Sequence, residues 1–214
     1  MDKLQNIRRE YDRDSLEREQ LLDNPIEQFT HWLQEAIDLG LQDPNAMTVA
    51  TVSSDGQPSQ RIVLLKDVSE GGFVFYTNLE SRKAQEIQNN AKISLHFPWH
   101  GIERQVKVCG VAEVLSNTEN SQYFLSRPKE SQIAAWASDQ SQPIASKQVL
   151  QTKFEQIRER FKDKDMTLPE FWGGYRVIPH EIEFWQGGVH RLHDRFVYTL
   201  SAPELPWQVT RLMP

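Results

Sequence analysis

The chain contains a single cysteine, Cys109, among its 214 residues. One thiol cannot form a disulfide within the chain, so the sequence fits a reducing compartment. Its place in an apolar, strand-like run predicts a small buried side chain rather than a catalytic thiol. Long apolar runs are also absent, and none approaches the roughly 20 residues that a membrane-spanning helix needs. No apolar signal segment follows Met1, and we therefore expect a cytoplasmic protein with no membrane partner.

Basic charge is scarce as well. The 24 Lys and Arg residues are outnumbered by 30 Asp and Glu residues, which leaves a formal net charge of −6. This balance does not favour broad binding to nucleic acid, so the basic residues that matter must act locally. The sequence also lacks the glycine-rich patterns, Gly-x-Gly-x-x-Gly and the Walker loop, that bind nucleotide phosphates. A phosphate-bearing ligand would therefore have to be held by side chains.

Patterns typical of metal ligands are equally sparse. His190 and His193 have a His-x-x-His spacing, and His96 and His100 are close in sequence. Neither pair is accompanied by a cysteine cluster or a His-Glu-x-x-His helix. We therefore predict no metal site.

The periodicity of apolar residues predicts an α+β fold, in which antiparallel hairpins interrupted by helices form a β-barrel. Residues 1–23 are highly charged and hold few apolar anchors, so we expect a flexible N-terminal segment ahead of one domain over residues 24–214. Asn24 is the expected N-cap of the first helix, and Ser116 and Glu119 have the spacing of a capping box at the start of a later one. Helical patterns cover residues 26–37, 79–90, 116–127, 131–137 and 149–161, and strand patterns cover 47–52, 61–66, 73–77, 93–97, 104–115, 174–179, 181–186, 195–200 and 207–212.

Two histidines and two arginines are concentrated between His190 and Arg195, directly after an aromatic run and the pair Gly187-Gly188. This pattern suits a flat, anionic ligand. Trp185 can offer an aromatic face, the glycines let backbone come close, and guanidinium groups match phosphate or stack on a ring. Two strands joined by a tight turn, with a solvated basic rim, would give the same pattern.

The segment from Ile182 to Arg195 resembles the C-terminal signature of the pyridoxine/pyridoxamine 5′-phosphate oxidases: aliphatic-Glu-aromatic-Trp-Gln, four residues, then Arg-Leu-His-Asp-Arg. Six further blocks resemble that family in the same order and cover nearly the whole chain. They are Arg8-Arg9-Glu10-Tyr11, Gln60 to Lys66, Phe75 to Asn78, Ser81-Arg82-Lys83, Glu103-Arg104-Gln105 and Phe171 to Gly174. The resemblance implies a split β-barrel with surrounding helices, and a homodimer with flavin sites at the subunit interface.

The resemblance further implies that flavin mononucleotide (FMN) is the cofactor. Arg82 and Lys83 follow a strand near a helix start, where a phosphate is favoured; without the resemblance, a solvated basic pair would explain them. Arg61 and Lys66 lie five apart, so one site can use both only if the strand bulges or Lys66 lies past its end. The implied FMN ligands are Arg61, Ile62, Val63, Leu64, Leu65, Lys66, Tyr76, Thr77, Arg82, Lys83, Gln105, Gln140, Ser141, Trp185 and Arg195.

A second phosphate would belong to the substrate. Tyr123, Arg127 and Ser131 are spaced four apart, which would align them on one helical face, although Pro128 is expected to break a continuous helix. The resemblance makes Arg191 and His193 the catalytic residues, and it implies that the N-terminal block folds over the substrate. The implied substrate-binding residues are Arg8, Arg9, Glu10, Tyr11, Lys66, Tyr123, Arg127, Ser131, Arg191, Leu192 and His193.

The activity that the resemblance implies is oxidation of pyridoxamine 5′-phosphate or pyridoxine 5′-phosphate by O2 to pyridoxal 5′-phosphate. Hydrogen peroxide would be released, together with ammonia from the amine substrate. Two alternatives stay open at this point. One is a related split-barrel flavin oxidoreductase with another substrate, and the other is a non-catalytic carrier of flavin or vitamin B6.

Overall fold

The computed structural model describes residues 3–202 and 204–214, and it confirms the α+β class. The helices in this part of the chain are α1 (Pro25–Asp38), α2 (Arg82–Asn89), α3 (Asn117–Ser126), α4 (Lys129–Ala137) and α5 (Lys147–Arg160). The strands are β1 (Ala46–Val52), β2 (Pro58–Leu64), β3 (Asp67–Ser69), β4 (Gly72–Asn78), β5 (Lys92–Trp99), β6 (Arg104–Val114), β7 (Trp172–Gln186), β8 (Asp194–Thr199) and β9 (Gln208–Leu212). Short 3-10 turns cover Leu4–Asn6, Arg18–Gln20, His100–Ile102 and Val189–Arg191.

The strands form one antiparallel sheet that curls into a split barrel. The order is β2-β1-β5-β6-β7-β4-β3, with β8 paired to β7 and β9 paired to β8. The chain after β2 links the two ends of this order. The Leu65 N–H donates to the Asn45 carbonyl beside β1, and the next N–H, that of Lys66, donates to the Val74 carbonyl in β4. Consecutive residues thus bond to segments near opposite ends of this strand order.

Strand β7 organises the sheet because it runs for 15 residues where two shorter strands were expected. Its first part pairs with β4, its second part pairs with β8, and β6 pairs along both. The predicted break between a strand over 174–179 and a strand over 181–186 was wrong. Pro179 lies at a shift in the register with β6, which falls between Cys109 and Gly110. A bulge tolerates a residue that lacks an N–H, so the strand bends and continues.

Helix α1 packs its apolar face against the core of the barrel. Its N-cap is as expected, because the Asn24 side chain accepts from the Ile26 N–H at 2.9 Å. Phe29 packs edge-on against Phe73, with ring centroids 4.9 Å apart, and Trp32 packs against Phe184 at 5.1 Å. These fully or almost fully buried rings form the centre of the core. Burying a side chain of this size contributes roughly 1.5–3 kcal/mol.

The described part of the N-terminal segment runs along the barrel surface. Leu16 and Leu21 are buried in the core. The Leu16 N–H donates to Asp194, and the Tyr198 hydroxyl donates to the Leu22 carbonyl. This contact positions the residues before it near the loop that precedes β8. The flexibility of the segment and the division at residue 24 stay predictions.

Cys109 is half-buried rather than buried as expected, because β6 exposes this position beside the charged Glu181. Burial is still the main reason why the pKa of its thiol is raised. A raised pKa lowers the thiolate fraction, which argues further against a catalytic thiol.

Candidate active site

A cleft of about 940 Å³ opens beside the C-terminal end of β4 and the start of α2. Leu65 is buried behind it and does not line it. Lys66 lies past the end of β2, so it lines the same cleft as Arg61 without a bulge in that strand. Other predicted site residues in the walls are Ile62, Val63, Leu64, Tyr76, Thr77, Arg82, Lys83, Tyr123, Arg127, Ser131, Gln140 and Ser141.

Lys83 is a buried cation in the floor of this cleft. Its amino group donates to Thr77 at 2.9 Å and to Gln140 at 2.6 Å, so β4 and the segment after α4 hold it from two sides. Burial, with a smaller contribution from Arg61, lowers the pKa of Lys83 to about 8. A bound dianion would offset both effects on this pKa by supplying the missing countercharge.

The two arginines of the cleft share one carboxylate. Arg61 donates to the hydroxyls of Thr51 and Ser59, each at 2.6 Å, and its guanidinium lies 3.4 Å from Glu86. Arg82 donates to the other oxygen of Glu86 at 2.8 Å. Strand β2 and the first turn of α2 therefore bring two guanidinium groups and one buried ammonium group to the same cleft.

Aromatic rings and a third guanidinium form the other part of the cleft. Tyr76 stacks on Tyr123, with centroids 4.0 Å apart, and on Trp172 at 5.2 Å. Burial, aided by Glu119, raises the pKa of Tyr76 to about 12, so its hydroxyl stays protonated. The Arg127 guanidinium lies 5.0 Å from the Trp172 ring, and its Nη1 is buried without a hydrogen-bond partner among the described residues.

Arg127 lies in a break between two helices. Helix α3 ends at Ser126 and α4 begins at Lys129, so Pro128 interrupts the helix as expected. Tyr123 and Ser131 nevertheless line the cleft together with Arg127. An unsatisfied buried N–H costs about 1–3 kcal/mol, which an anionic oxygen beside Arg127 would offset.

Three predicted ligands line a different cleft, of about 470 Å³. They are Gln105, Trp185 and Arg195, on β6, β7 and β8. Arg195 is held by Glu183 at 2.8 Å, and Gln105 lies 2.9 Å from His96. Although burial raises the pKa of Glu183, hydrogen bonds from Arg195 and Lys107 bring it below its usual value. One chain therefore distributes the predicted ligands over two clefts.

The N-terminal block contacts the loop between β7 and β8. The Tyr11 ring packs edge-on against Trp185 and His193, with centroids 5.7 and 5.5 Å away, and the Arg191 guanidinium lies 5.3 Å from it. Gly187 permits this contact, because a Cβ there would come within 2.8 Å of Tyr11.

The neighbours of Tyr11 differ in their contacts. The Arg9 guanidinium lies 4.9 Å from the Tyr11 ring, and Glu10 accepts from the His190 N–H at 3.3 Å. Arg8 instead donates to the nearby Gln5 carbonyl, and Leu192 is exposed without joining the ring cluster. The structure thus groups only part of the predicted substrate-binding block with the signature loop.

His193 has a defined tautomer. Its Nδ1 accepts from the Gly188 N–H at 3.1 Å, so the neutral ring carries its proton on Nε2. Burial and the neighbouring Arg191 lower the pKa of His193, and Asp194 opposes them only in part. The loop also holds His190 and Arg191 at φ of 56° and 65°, a left-handed conformation that costs non-glycine residues of order 1 kcal/mol or more each.

Sequence reasoning missed Glu86, Trp172 and the contact between His96 and Gln105. Glu86 lies four residues after Arg82 on α2, a spacing that predicts an ion pair, but its contacts with β1 and β2 leave no local signal. Among residues 3–202 and 204–214, no group of three or more His, Cys, Asp and Glu side chains could hold a metal ion. No helix in that part of the chain is both long enough and apolar enough to span a membrane.

Comparison with protein families gives two matches. Residues 33–161 match the model described as pyridoxamine 5′-phosphate oxidase, and residues 172–214 match the pyridoxine 5′-phosphate oxidase C-terminal dimerisation region. Curated relatives named pyridoxine/pyridoxamine 5′-phosphate oxidase include proteins from Alteromonas mediterranea and Vibrio cholerae. They are 56% and 59% identical to this chain over 211 residues, which cover 99% of both chains in each pair.

Similar folds occur among solved structures. PhzG from Burkholderia lata, in complex with tetrahydrophenazine-1-carboxylic acid, has a TM-score of 0.87 and 28% identity, covering 94% of this chain and 98% of its own. An FMN-binding protein from Nostoc punctiforme, related to pyridoxamine 5′-phosphate oxidase, has a TM-score of 0.72 and 13% identity, covering 91% and 99%. The second likeness concerns the fold alone.

Proposed function

The chain belongs to the pyridoxamine 5′-phosphate oxidase family, and on that premise we propose that it is an FMN-dependent oxidase of vitamin B6 5′-phosphates. Pyridoxine 5′-phosphate and O2 would give pyridoxal 5′-phosphate and hydrogen peroxide. Pyridoxamine 5′-phosphate would consume one water in addition and release ammonia. The observation that carries this proposal is the presence of two separate cationic groups in one cleft, one for each of two phosphates.

The first group fits the phosphate of FMN. Arg61, Arg82 and Lys83 converge at the start of α2, and the buried Lys83 lacks a charged partner among the described residues. Thr77, Gln140 and Ser141 add polar groups to the same wall. A phosphate accepts charge-assisted hydrogen bonds from all of these donor types. The donor set is therefore suited to the cofactor that the family implies.

The second group fits the phosphate of the substrate. Arg127 offers a buried N–H that has no acceptor among the described residues, and Tyr123 and Ser131 add hydroxyls on the same wall. Lys66 lines the same cleft and would contact both ligands. The stacked rings of Tyr76, Tyr123 and Trp172 keep this region apolar, which strengthens the interaction of Arg127 with an anion.

When bound, FMN would supply the redox chemistry, namely acceptance of a hydride from the C4′ carbon of the substrate and transfer of the electrons to O2. The protein contributes binding and orientation. Arg191 would press the pyridine ring into place with its flat guanidinium group, as it now faces Tyr11. His193, neutral with its proton on Nε2, would donate a hydrogen bond to the C4′ substituent. Tyr11 and its neighbours would cover the ring and exclude water.

The distribution of ligands over two clefts supports a shared site. The match of residues 172–214 to a dimerisation region supports a homodimer. We propose that the main cleft of one protomer faces the Gln105, Trp185 and Arg195 cleft of its partner. A two-fold axis would then create two identical flavin sites.

Flavin binding and dimerisation should consequently be coupled, because a ligand that binds only the dimer stabilises it. Light scattering on FMN-loaded and FMN-free protein should show weaker association without the cofactor. A fully active monomer at micromolar concentration would exclude the shared site.

Arg127→Ala should raise the KM for pyridoxine 5′-phosphate by about 10- to 100-fold while leaving FMN affinity nearly unchanged. The reason is that charge-assisted hydrogen bonds contribute about 1.5–3 kcal/mol each. Steady-state kinetics with pyridoxine 5′-phosphate and with unphosphorylated pyridoxine check this. Arg158→Ala, which removes an exposed arginine of α5, is the control. If the unmodified protein uses both vitamers equally well, the substrate-phosphate assignment is wrong.

The alternatives make different predictions. The likeness to PhzG raises the alternative of a split-barrel oxidoreductase with another substrate. Such an enzyme would not need a second phosphate-binding site at Arg127. A carrier of flavin or vitamin B6 would bind its ligand and form no hydrogen peroxide. The expected cytoplasmic location stays a prediction.

A further inference from the structure

A buried carboxylate lies at the centre of the cation cluster that faces the main cleft. The Glu86 side chain is 6% exposed. One of its oxygens accepts from Thr51 and from Ser59 and lies 3.4 Å from Arg61, while the other accepts from Arg82 at 2.8 Å. Glu86 therefore joins β1, β2 and α2, the three elements that carry or flank the arginines.

An acidic group so close to a phosphate site would at first be expected to weaken it. The net charge of the cluster indicates that Glu86 does not weaken the site. Arg61, Arg82 and Lys83 contribute three positive charges, and Glu86 reduces their sum to two, the charge of a phosphate dianion with opposite sign. Without Glu86, two guanidinium groups would repel each other across the same space, and Arg82, whose side chain is 59% exposed, would be free to turn into solvent.

The carboxylate is ionised at neutral pH. Burial alone would raise the pKa of Glu86, but the hydrogen bonds from Thr51, Ser59 and Arg82 lower it to about 2. A substitution by glutamine therefore removes a charge that the wild-type protein always carries. The amide oxygen can still accept from the two hydroxyls, so the packing between the strands and α2 has a substitute acceptor.

We infer that Glu86 is a positioning residue that fixes Arg61 and Arg82 as one preorganised unit for the phosphate of FMN. It does so by ion pairing with both guanidinium groups, which holds the two arginines in place beside the cleft. Preorganised groups lose less conformational freedom when they bind a ligand, so they bind it more tightly. This inference rests on the proposed function, because it takes FMN as the ligand.

The test compares FMN with riboflavin, which has the same ring system and no phosphate. FMN-free wild type and Glu86→Gln are titrated with each flavin, and binding is followed by flavin fluorescence. The variant should bind FMN on the order of 10-fold more weakly and riboflavin as the wild type does. The control is Glu80→Gln, because Glu80 is exposed two residues before Arg82 and its carboxylate has no hydrogen bond or ion pair among the described residues.

Each outcome bears on the inference. Unchanged or tighter FMN binding by Glu86→Gln overturns it, because Glu86 would then be neutral or would compete with the phosphate. An equal loss for both flavins also overturns it, because Glu86 would then act only on the fold. If Glu86→Gln does not fold, Ser59→Ala should lower the preference for FMN in the same way, because it removes one of the two hydroxyls that bond to both Arg61 and Glu86. Wild type that does not prefer FMN to riboflavin refutes the proposed function itself.

Discussion

Replacing Arg82 and Lys83 together with alanine should weaken FMN binding by at least about 100-fold. Each charge-assisted hydrogen bond to a phosphate contributes about 1.5–3 kcal/mol, and Lys83 is buried, so water cannot take over its role. Arg82 is more exposed and should contribute less than Lys83. Titration of FMN-free protein with FMN gives the two dissociation constants.

The matched control for this variant is Arg158→Ala with Lys162→Ala. It also removes one arginine and one lysine, but from exposed positions in and just after α5. It should bind FMN as the wild type does, since exposed ion pairs contribute about 0–1 kcal/mol and lie outside the clefts. FMN binding that is equally strong in the Arg82 and Lys83 variant would show that the cofactor phosphate lies elsewhere.

Arg191→Ala and His193→Ala should each retain FMN and lose about 100-fold in kcat/KM for pyridoxine 5′-phosphate. A substrate ring that is displaced by about 1 Å can cost on the order of 100-fold in rate, and both side chains lie at the loop proposed to hold that ring. His180→Ala is the control, because His180 is exposed on β7. Normal turnover by both variants would mean that this loop is not the catalytic site.

The pH dependence of wild-type kcat/KM offers a second check on His193. Its pKa is lowered, chiefly by burial, so the neutral ring persists below the usual range for histidine. Protonation places a hydrogen on Nδ1 and breaks its bond with the Gly188 N–H. The contribution of His193 should therefore be present above the lowered pKa and be lost as the pH falls through it. His193→Ala should not show this acidic limb.

Local signals in the sequence predicted several features of the fold correctly. The Asn24 cap and the pairing of Ser116 with Glu119 at the start of α3 are both present, because a cap depends only on residues a few positions apart. The break between α3 and α4 was also predictable from local sequence, because Pro128 itself interrupts the helix. The continuity of β7 was not predictable in this way, since proline normally interrupts a strand and only the pairing with β6 shows the bulge at Pro179.

In the candidate site, too, the features set by residues close in sequence were predictable, and those set by distant residues were not. The signature from Trp185 to Arg195 is contiguous, so the sequence alone could identify it. The role inferred for Glu86 depends on hydroxyls that lie 35 and 27 residues away on β1 and β2, and no spacing rule connects them. The separation of the predicted ligands into two clefts follows from how the strands are ordered in the sheet, which a run of local patterns does not specify.

The most direct test of the whole account is to add pyridoxamine 5′-phosphate to the purified, FMN-loaded protein in the absence of oxygen and to follow the visible absorption of the flavin. This absorption should disappear and return when air is admitted, and pyridoxal 5′-phosphate, ammonia and hydrogen peroxide should then be found in equal amounts. Unphosphorylated pyridoxamine should act far more slowly. A protein that cannot be loaded with FMN, or one whose absorption does not respond to pyridoxamine 5′-phosphate, would contradict it.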